Sequence, residues 1–328
     1  MRRSIYSSDH EAFRDSVRAF LDRHVWPRTE QFIEARAFPR DLWIEAGRQG
    51  FLGLGIPERY DGSAAEDYRY NAVLGEELAG VSAALSSSFG IHYDVVAPYL
   101  VELAGETNGY SADLVVVAAS TSPERRAKGI TLFGVETGMD GFSRGRKLDK
   151  VGQPESDTAE LFFDNVRVPH ANVIGEIDRG FVHMMERLPQ ERIGAAVSNV
   201  AHAARILRET IEYVKERKAF GQPVGSFQHN KFLLAELVTQ IEVSQAYVDQ
   251  AVMAHVAGEL SAVDAAKAKW WSAQVQNDVL DACVQLHGGY GYMNEYRVAR
   301  AWRDARVTRI WAGSNEIMKE LIGRDLGL

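Results

Sequence analysis

The chain has 328 residues, 46% of them hydrophobic and 25% charged, the composition of a folded protein with two or three domains or one large one. Its net charge is −8, and its basic residues alternate with acids along helices, which excludes the basic stripe of a nucleic-acid binder. A single cysteine, Cys283, excludes an intrachain disulfide, no apolar run approaches the length of a membrane span, and nine scattered histidines leave no His-based metal site.

Arg2-Arg3 leads directly into an amphipathic helix, without the apolar stretch of an export signal, so a reducing cytoplasmic setting is expected. Asp9 is placed to cap that helix, in which Phe13, Val17, Phe20 and Leu21 share a face and which ends near Pro27. Arg40 to Gly50 reads as a second helix, Phe51 to Pro57 as an extended loop, and Asp61-Gly62 as a turn. Tyr68 to Leu78 and Ile91 to Leu103 read as further helices.

From Ser111 the pattern changes. Leu114 to Ala118, Ile130 to Val135, Thr158 to Phe163 and Val166 to Val168 are short β-rich runs separated by turn residues. Arg125-Arg126-Ala127-Lys128, the densest basic cluster, falls in a turn between them and reads as a solvated loop. Helical periodicity returns at Gly180, with predicted helices over Gly180 to Lys218, Gln228 to Gly258 and Ala262 to Leu286. Leu234, Leu237, Ile241, Val248 and Val252 are spaced for one buried face. The expected division is a helical domain over 1–105, a small β domain over 106–176 and a helical domain over 177–328. No G-x-G-x-x-G opens a helix after a strand, and neither a P-loop nor G-x-S-x-G is present, so a bound dinucleotide would not sit on a Rossmann unit.

Four C-terminal segments gain meaning from their order. They are Leu188-Pro189-Gln190-Glu191-Arg192; Glu216-Arg217-Lys218-Ala219-Phe220-Gly221 with Phe227-Gln228; Gln285-Leu286-His287-Gly288-Gly289-Tyr290-Gly291-Tyr292; and Arg303-Asp304-Ala305-Arg306 followed by Trp311-Ala312-Gly313-Ser314-Asn315-Glu316-Ile317. At these separations they resemble the C-terminal domain of the acyl-CoA dehydrogenase family, closest to its long-chain type. Asp164 to Pro169 and the N-terminal helices fit the same family. The resemblance implies a mainly α fold: an N-terminal helical domain, a middle β domain and a C-terminal four-helix bundle. It also implies FAD as cofactor, an acyl-CoA substrate, a dimer or tetramer, and an electron-transfer flavoprotein as acceptor. The reaction implied removes an α-proton and a β-hydride to give a trans-2-enoyl-CoA.

On residues alone, Glu191 is an acid on a helix surface, paired with Arg192. Within the resemblance it is the base. Many family members carry the base before a Gly-Thr or Gly-Ser pair near the C-terminus, and here Ala312 holds that place and takes no proton. The long-chain and isovaleryl types carry it on the earlier helix, at the position of Glu191. A base on an apolar helix face is desolvated and therefore stronger. Arg192, Ala312 and Gly313 are assigned to substrate, with the Ala312 N–H polarising the thioester carbonyl.

Arg217 resembles the arginine that reaches the FAD pyrophosphate, usually of a neighbouring subunit, since its planar fork suits phosphate oxygens. Its alternative is a solvated charge in the run from Lys215 to Lys218. Gln228, Gln285, Leu286, His287, Gly288 and Gly289 are assigned to FAD, although glycines after a helix also serve as a plain C-cap. Ser314, Asn315 and Glu316 are assigned to FAD at the start of the last helix. Arg303-Asp304 reads as a structural ion pair, Cys283 as a core residue, and Trp270-Trp271 as core or oligomer contacts.

One departure stands out. The family's middle domain begins with an A-M-T-E-P-x-A-G-S-D-like segment, which has no counterpart here. The helix ending near Ala104 runs almost directly into Thr107-Asn108-Gly109, which resembles a later element and assigns Thr107 to the cofactor. Several dozen residues are thus missing near Gly105-Glu106, either from the gene or from the sequence as written. A genuine gap favours a different role: a non-catalytic partner subunit or remnant. An acyl-CoA oxidase fits the length and the Leu-Pro-Gln-Glu-Arg motif less well.

Overall fold

The computed structural model describes residues 3–60, 62–65, 67–103 and 114–328. Thr107 and the Gly105-Glu106 junction therefore lie outside the described residues, as does Asp61.

The N-terminal region is helical: α1 (Ser8–His24), α2 (Thr29–Ala35), α3 (Arg40–Arg48), α4 (Arg69–Val81), α5 (Ala83–Gly90), then a π-helical turn (Ile91–Val96) running into α6 (Ala97–Leu103). Asp9 is not the cap of α1. Ser7 is, its backbone N–H donating to His10 Nδ1 at 3.2 Å, while Asp9 lies inside the first turn and faces the helix dipole. α2 and α5 extend the predicted set. Val17, Phe20 and Leu21 of α1 pack with Leu42, Phe51, Leu74 and Phe89 into one core.

The β region holds β1 (Leu114–Ser120), β2 (Ile130–Glu136), β3 (Phe142–Lys147), β4 (Ala159–Phe163) and β5 (Val173–Ile174). β1-β2-β5 form an antiparallel sheet, with Leu114 opposite Glu136 and Ser120 opposite Ile130; β3 and β4 form a separate pair. Val166 to Val168 is not a strand. Asn165 turns left-handed at φ 56° and Pro169 has no N–H to give a ladder, so the third strand forms later, at β5. The basic cluster lies in an exposed 3-10 turn, with Arg125 paired to Asp178 at 2.6 Å.

The C-terminal bundle comprises α7 (Gly180–Glu216), α8 (Gln228–Val256), α9 (Ala262–His287), α10 (Arg297–Ala305) and α11 (Asn315–Asp325). Its core runs through Ile193, Val200 and Leu207 of α7, Leu237, Ile241, Val248 and Val252 of α8, and Val279 and Cys283 of α9. α4 packs on α7 and so joins the two helical regions. The β region is locked to α10 by Asp304, whose carboxylate accepts from the Gln153 N–H at 2.6 Å and lies 3.5 Å from Arg303. No helix among the described residues is long and apolar enough to cross a membrane.

Candidate active site

Glu191 sits in α7 just past Pro189, whose ring removes the N–H bond to the Met185 carbonyl. The side chain is half-buried. Burial raises its pKa above the ordinary carboxylate range, and the nearby Asp94 carboxylate raises it further; the Tyr99 hydroxyl, 3.5 Å from Oε1, and Arg192 pull the other way.

Asp94 comes from the π-helical turn and is fully enclosed. Its carboxylate accepts from Tyr68 Oη at 3.0 Å, Asn71 Nδ2 at 3.1 Å and Gln190 Nε2 at 3.0 Å. Gln190 also donates to the Asp94 carbonyl at 3.0 Å. Burial pushes the Asp94 pKa up to about 6 against these three donors. The fit depends on Gly194, because a Cβ there would collide with Asp94 Oδ2. Gln190 and Gly194 are one helical turn apart, so one face of α7 both grips Asp94 and makes room for it.

Arg192 is buried beside the base, and its Nε has no hydrogen-bond partner among the described residues. Just before α11, Ala312 and Gly313 form a left-handed turn, with φ 51° and 90°. Neither N–H finds a backbone acceptor among the described residues. Ser314 caps α11 by accepting from the Ile317 N–H, Asn315 is turned into the interior, and Glu316 is exposed.

The other predicted contacts gather elsewhere. A cavity of about 640 Å³ at the far end of the bundle is lined by Arg217, Gln285, Leu286, His287, Gly288 and Gly289, together with Tyr213 and Phe227. Gln228 opens α8 at its rim, solvent-exposed. Arg217 lies over the Tyr290 ring, and His287 stacks on Tyr213 at 4.1 Å. Gly288 has φ 61° and ψ −139°, a conformation essentially reserved for glycine, with open space where its Cβ would point, and Gly289 is equally open. These two exceed the needs of a C-cap and leave backbone exposed to a ligand.

The acyl-CoA dehydrogenase N-terminal domain matches residues 7–108 and the acyl-CoA dehydrogenase C-terminal domain matches residues 178–327. The pig long-chain specific acyl-CoA dehydrogenase is 40% identical over 99% of this chain and 88% of its own. The chain belongs to the acyl-CoA dehydrogenase family. Among solved structures, the acyl-CoA dehydrogenase of Geobacillus kaustophilus superposes with a TM-score of 0.94 at 36% identity, covering 98% of this chain and 99% of that one. A chain in a structure described as an electron transferring flavoprotein of Acidaminococcus fermentans superposes with a TM-score of 0.91 at 28% identity, over 99% of both.

The match with the pig enzyme extends over 379 residues, against the 328 of this chain. Sequence reasoning singled out Glu191 but not Asp94, Tyr68 and Tyr99, which come to it or to its neighbours from the start of α4 and the helices before β1. The one local signal was Gly194, a glycine inside an otherwise unbroken helix.

Proposed function

We propose that this acyl-CoA dehydrogenase acts on a long-chain fatty acyl-CoA with Glu191 as its base. The observation that carries the reading is the half-buried Glu191, its pKa raised by burial and by Asp94, on a chain whose alternative base position is Ala312. Glu191 takes the proton from the α-carbon, the electron pair of that bond forms the α,β double bond, and hydride leaves the β-carbon to give a trans-2-enoyl-CoA. FAD, when bound, supplies the hydride acceptor. In this reading the N–H of Ala312, which has no backbone acceptor among the described residues, meets the charge that develops on the thioester oxygen and so lowers the barrier to proton removal.

Arg217 lies about 39 Å along α7 from Glu191 at 1.5 Å per residue. One chain's base and its own arginine cavity therefore serve different cofactor molecules, which supports a dimer or tetramer in which Arg217, Gln228 and Gln285 to Gly289 complete a second copy's FAD site. Ser314 to Glu316 serve the chain's own FAD. Exposed Phe220, Phe232 and Tyr292 near that cavity supply apolar surface for such a contact. An electron-transfer flavoprotein is the proposed acceptor and the cytoplasm the proposed location, with domains dividing at 105 and 176.

A second reading rests on the shortened middle region: a flavin-deficient relative that serves as a partner subunit or remnant. The two separate on the visible spectrum of the purified protein with and without added FAD. A flavin band that persists after desalting supports the dehydrogenase; failure to retain FAD at any concentration supports the partner subunit.

A further inference from the structure

The core of α9 holds a charge that the reaction above does not use. Lys269 is fully buried, a costly place for an ammonium group unless its donors are engaged. Its Nζ donates to the Gly313 carbonyl oxygen at 2.6 Å and reaches Asn315 Oδ1 at 3.5 Å. Both acceptors belong to the turn that precedes and opens α11. That turn is held from below as well, since Gly313 sits directly on the buried Met318 side chain. Ala312 is left-handed without being glycine, a conformation that persists only where its surroundings impose it.

We propose that Lys269 is a positioning residue for substrate recognition: by holding the Gly313 carbonyl inward, it fixes the turn whose Ala312 N–H, two peptide units earlier, meets the thioester oxygen. The inference rests on the role given to Ala312 above. The residues one helical turn away on either side, Ala265 and Ala273, are buried and apolar and would accept an apolar side chain beside them, so packing alone does not call for the charge. The charged groups around it are Arg192, which opposes its charge, and Glu316, which favours it; burial is the larger effect and lowers its pKa to about 8. Arg192 neighbours Glu191 in sequence, so this coupling ties the turn to the base.

The test is ligand affinity by calorimetry on the full chain supplied with FAD, in a Glu191→Gln background so that bound thioester is not consumed. Two probes are compared: a long-chain acyl-CoA, and the alkyl thioether of CoA of equal length, which lacks the carbonyl oxygen. Glu191→Gln alone binds the thioester more tightly. Adding Lys269→Met lowers thioester affinity roughly tenfold and leaves the thioether within about twofold. Lys269→Gln, which keeps a neutral donor, recovers part of the preference. An equal loss for both probes, or no loss in a folded Lys269→Met chain, overturns the inference. Should Lys269→Met not fold, Asn315→Ala gives a smaller loss confined to the thioester, and an equal loss for both probes overturns the inference there too. Absence of any thioester preference in Glu191→Gln ends it at Ala312, whereas full turnover by Glu191→Gln removes the base and leaves the Lys269 comparison standing.

Discussion

The two ends of the bundle are built on opposite plans. The end that carries Glu191 is enclosed: Asp94 has three side-chain donors, Gly194 leaves it room, and Gly313 is held by Lys269. Around Arg217 the same helices end in an open cavity, with an exposed arginine, two uncrowded glycines and Phe220 almost wholly in solvent at 97%. A site that tunes a proton transfer gains from enclosure, because desolvation and fixed neighbours set the pKa. The role proposed for the open end, gripping the phosphates of another copy's cofactor, gains from a site left incomplete until that copy arrives.

The comparison is broken most severely at Glu191. Glu191→Gln is expected to lower turnover by roughly a thousandfold or more while FAD and acyl-CoA binding persist; rapid-reaction reduction by substrate reads this, and near-normal rates would exclude Glu191 as base. Arg217→Ala acts at the open end. It is expected to weaken FAD affinity roughly 10- to 100-fold, the loss of a charged hydrogen bond, with the folding midpoint of the bundle unchanged; fluorescence titration of FAD measures it.

Gly288→Ala comes next, at a cost of about 1–3 kcal/mol from backbone strain alone, since no atom crowds the added methyl. Denaturant unfolding reports that cost. The smallest effects sharpen the closed end. Glu191 works ionised, so activity falls as pH drops through its pKa. Asp94 raises that pKa and the Tyr99 hydroxyl lowers it. Asp94→Asn is therefore expected to move the acidic limb of the kcat/KM profile to lower pH, and Tyr99→Phe to move it higher; shifts in the same direction would contradict the assigned causes.

Much of the architecture was legible because periodicity reports burial. Val17, Phe20 and Leu21, and Leu237, Ile241, Val248 and Val252, were read from spacing and are core residues. α5 was not, since its Leu-Ser-Ser-Ser-Phe run carries serines that neighbouring helices cover rather than a visible stripe. β3 was missed for a related reason: Phe142 to Lys147 is mostly polar and pairs only because β4 offers Phe162 and Phe163 opposite. Val166 to Val168 looked like a strand by composition, but Asn165 and Pro169 decide otherwise.

The site followed the same logic. Glu191, Arg217 and the Gly288-Gly289 pair belong to contiguous motifs and could be read locally. Asp94 and Lys269 act on residues about a hundred and about forty positions away, and no local pattern encodes such a meeting. Trp270 and Trp271, read as core or oligomer contacts, are not deep core: Trp271 is 41% exposed and donates to Ser244, and Trp270 lies beneath Lys319.

The most direct test of the central claim is an anaerobic titration of the FAD-loaded protein with a long-chain acyl-CoA, followed at the flavin absorbance band, for the native chain and for Glu191→Gln. The account predicts bleaching in the native chain and none on the same timescale in Glu191→Gln. A native chain that holds FAD and binds the acyl-CoA without bleaching would contradict it.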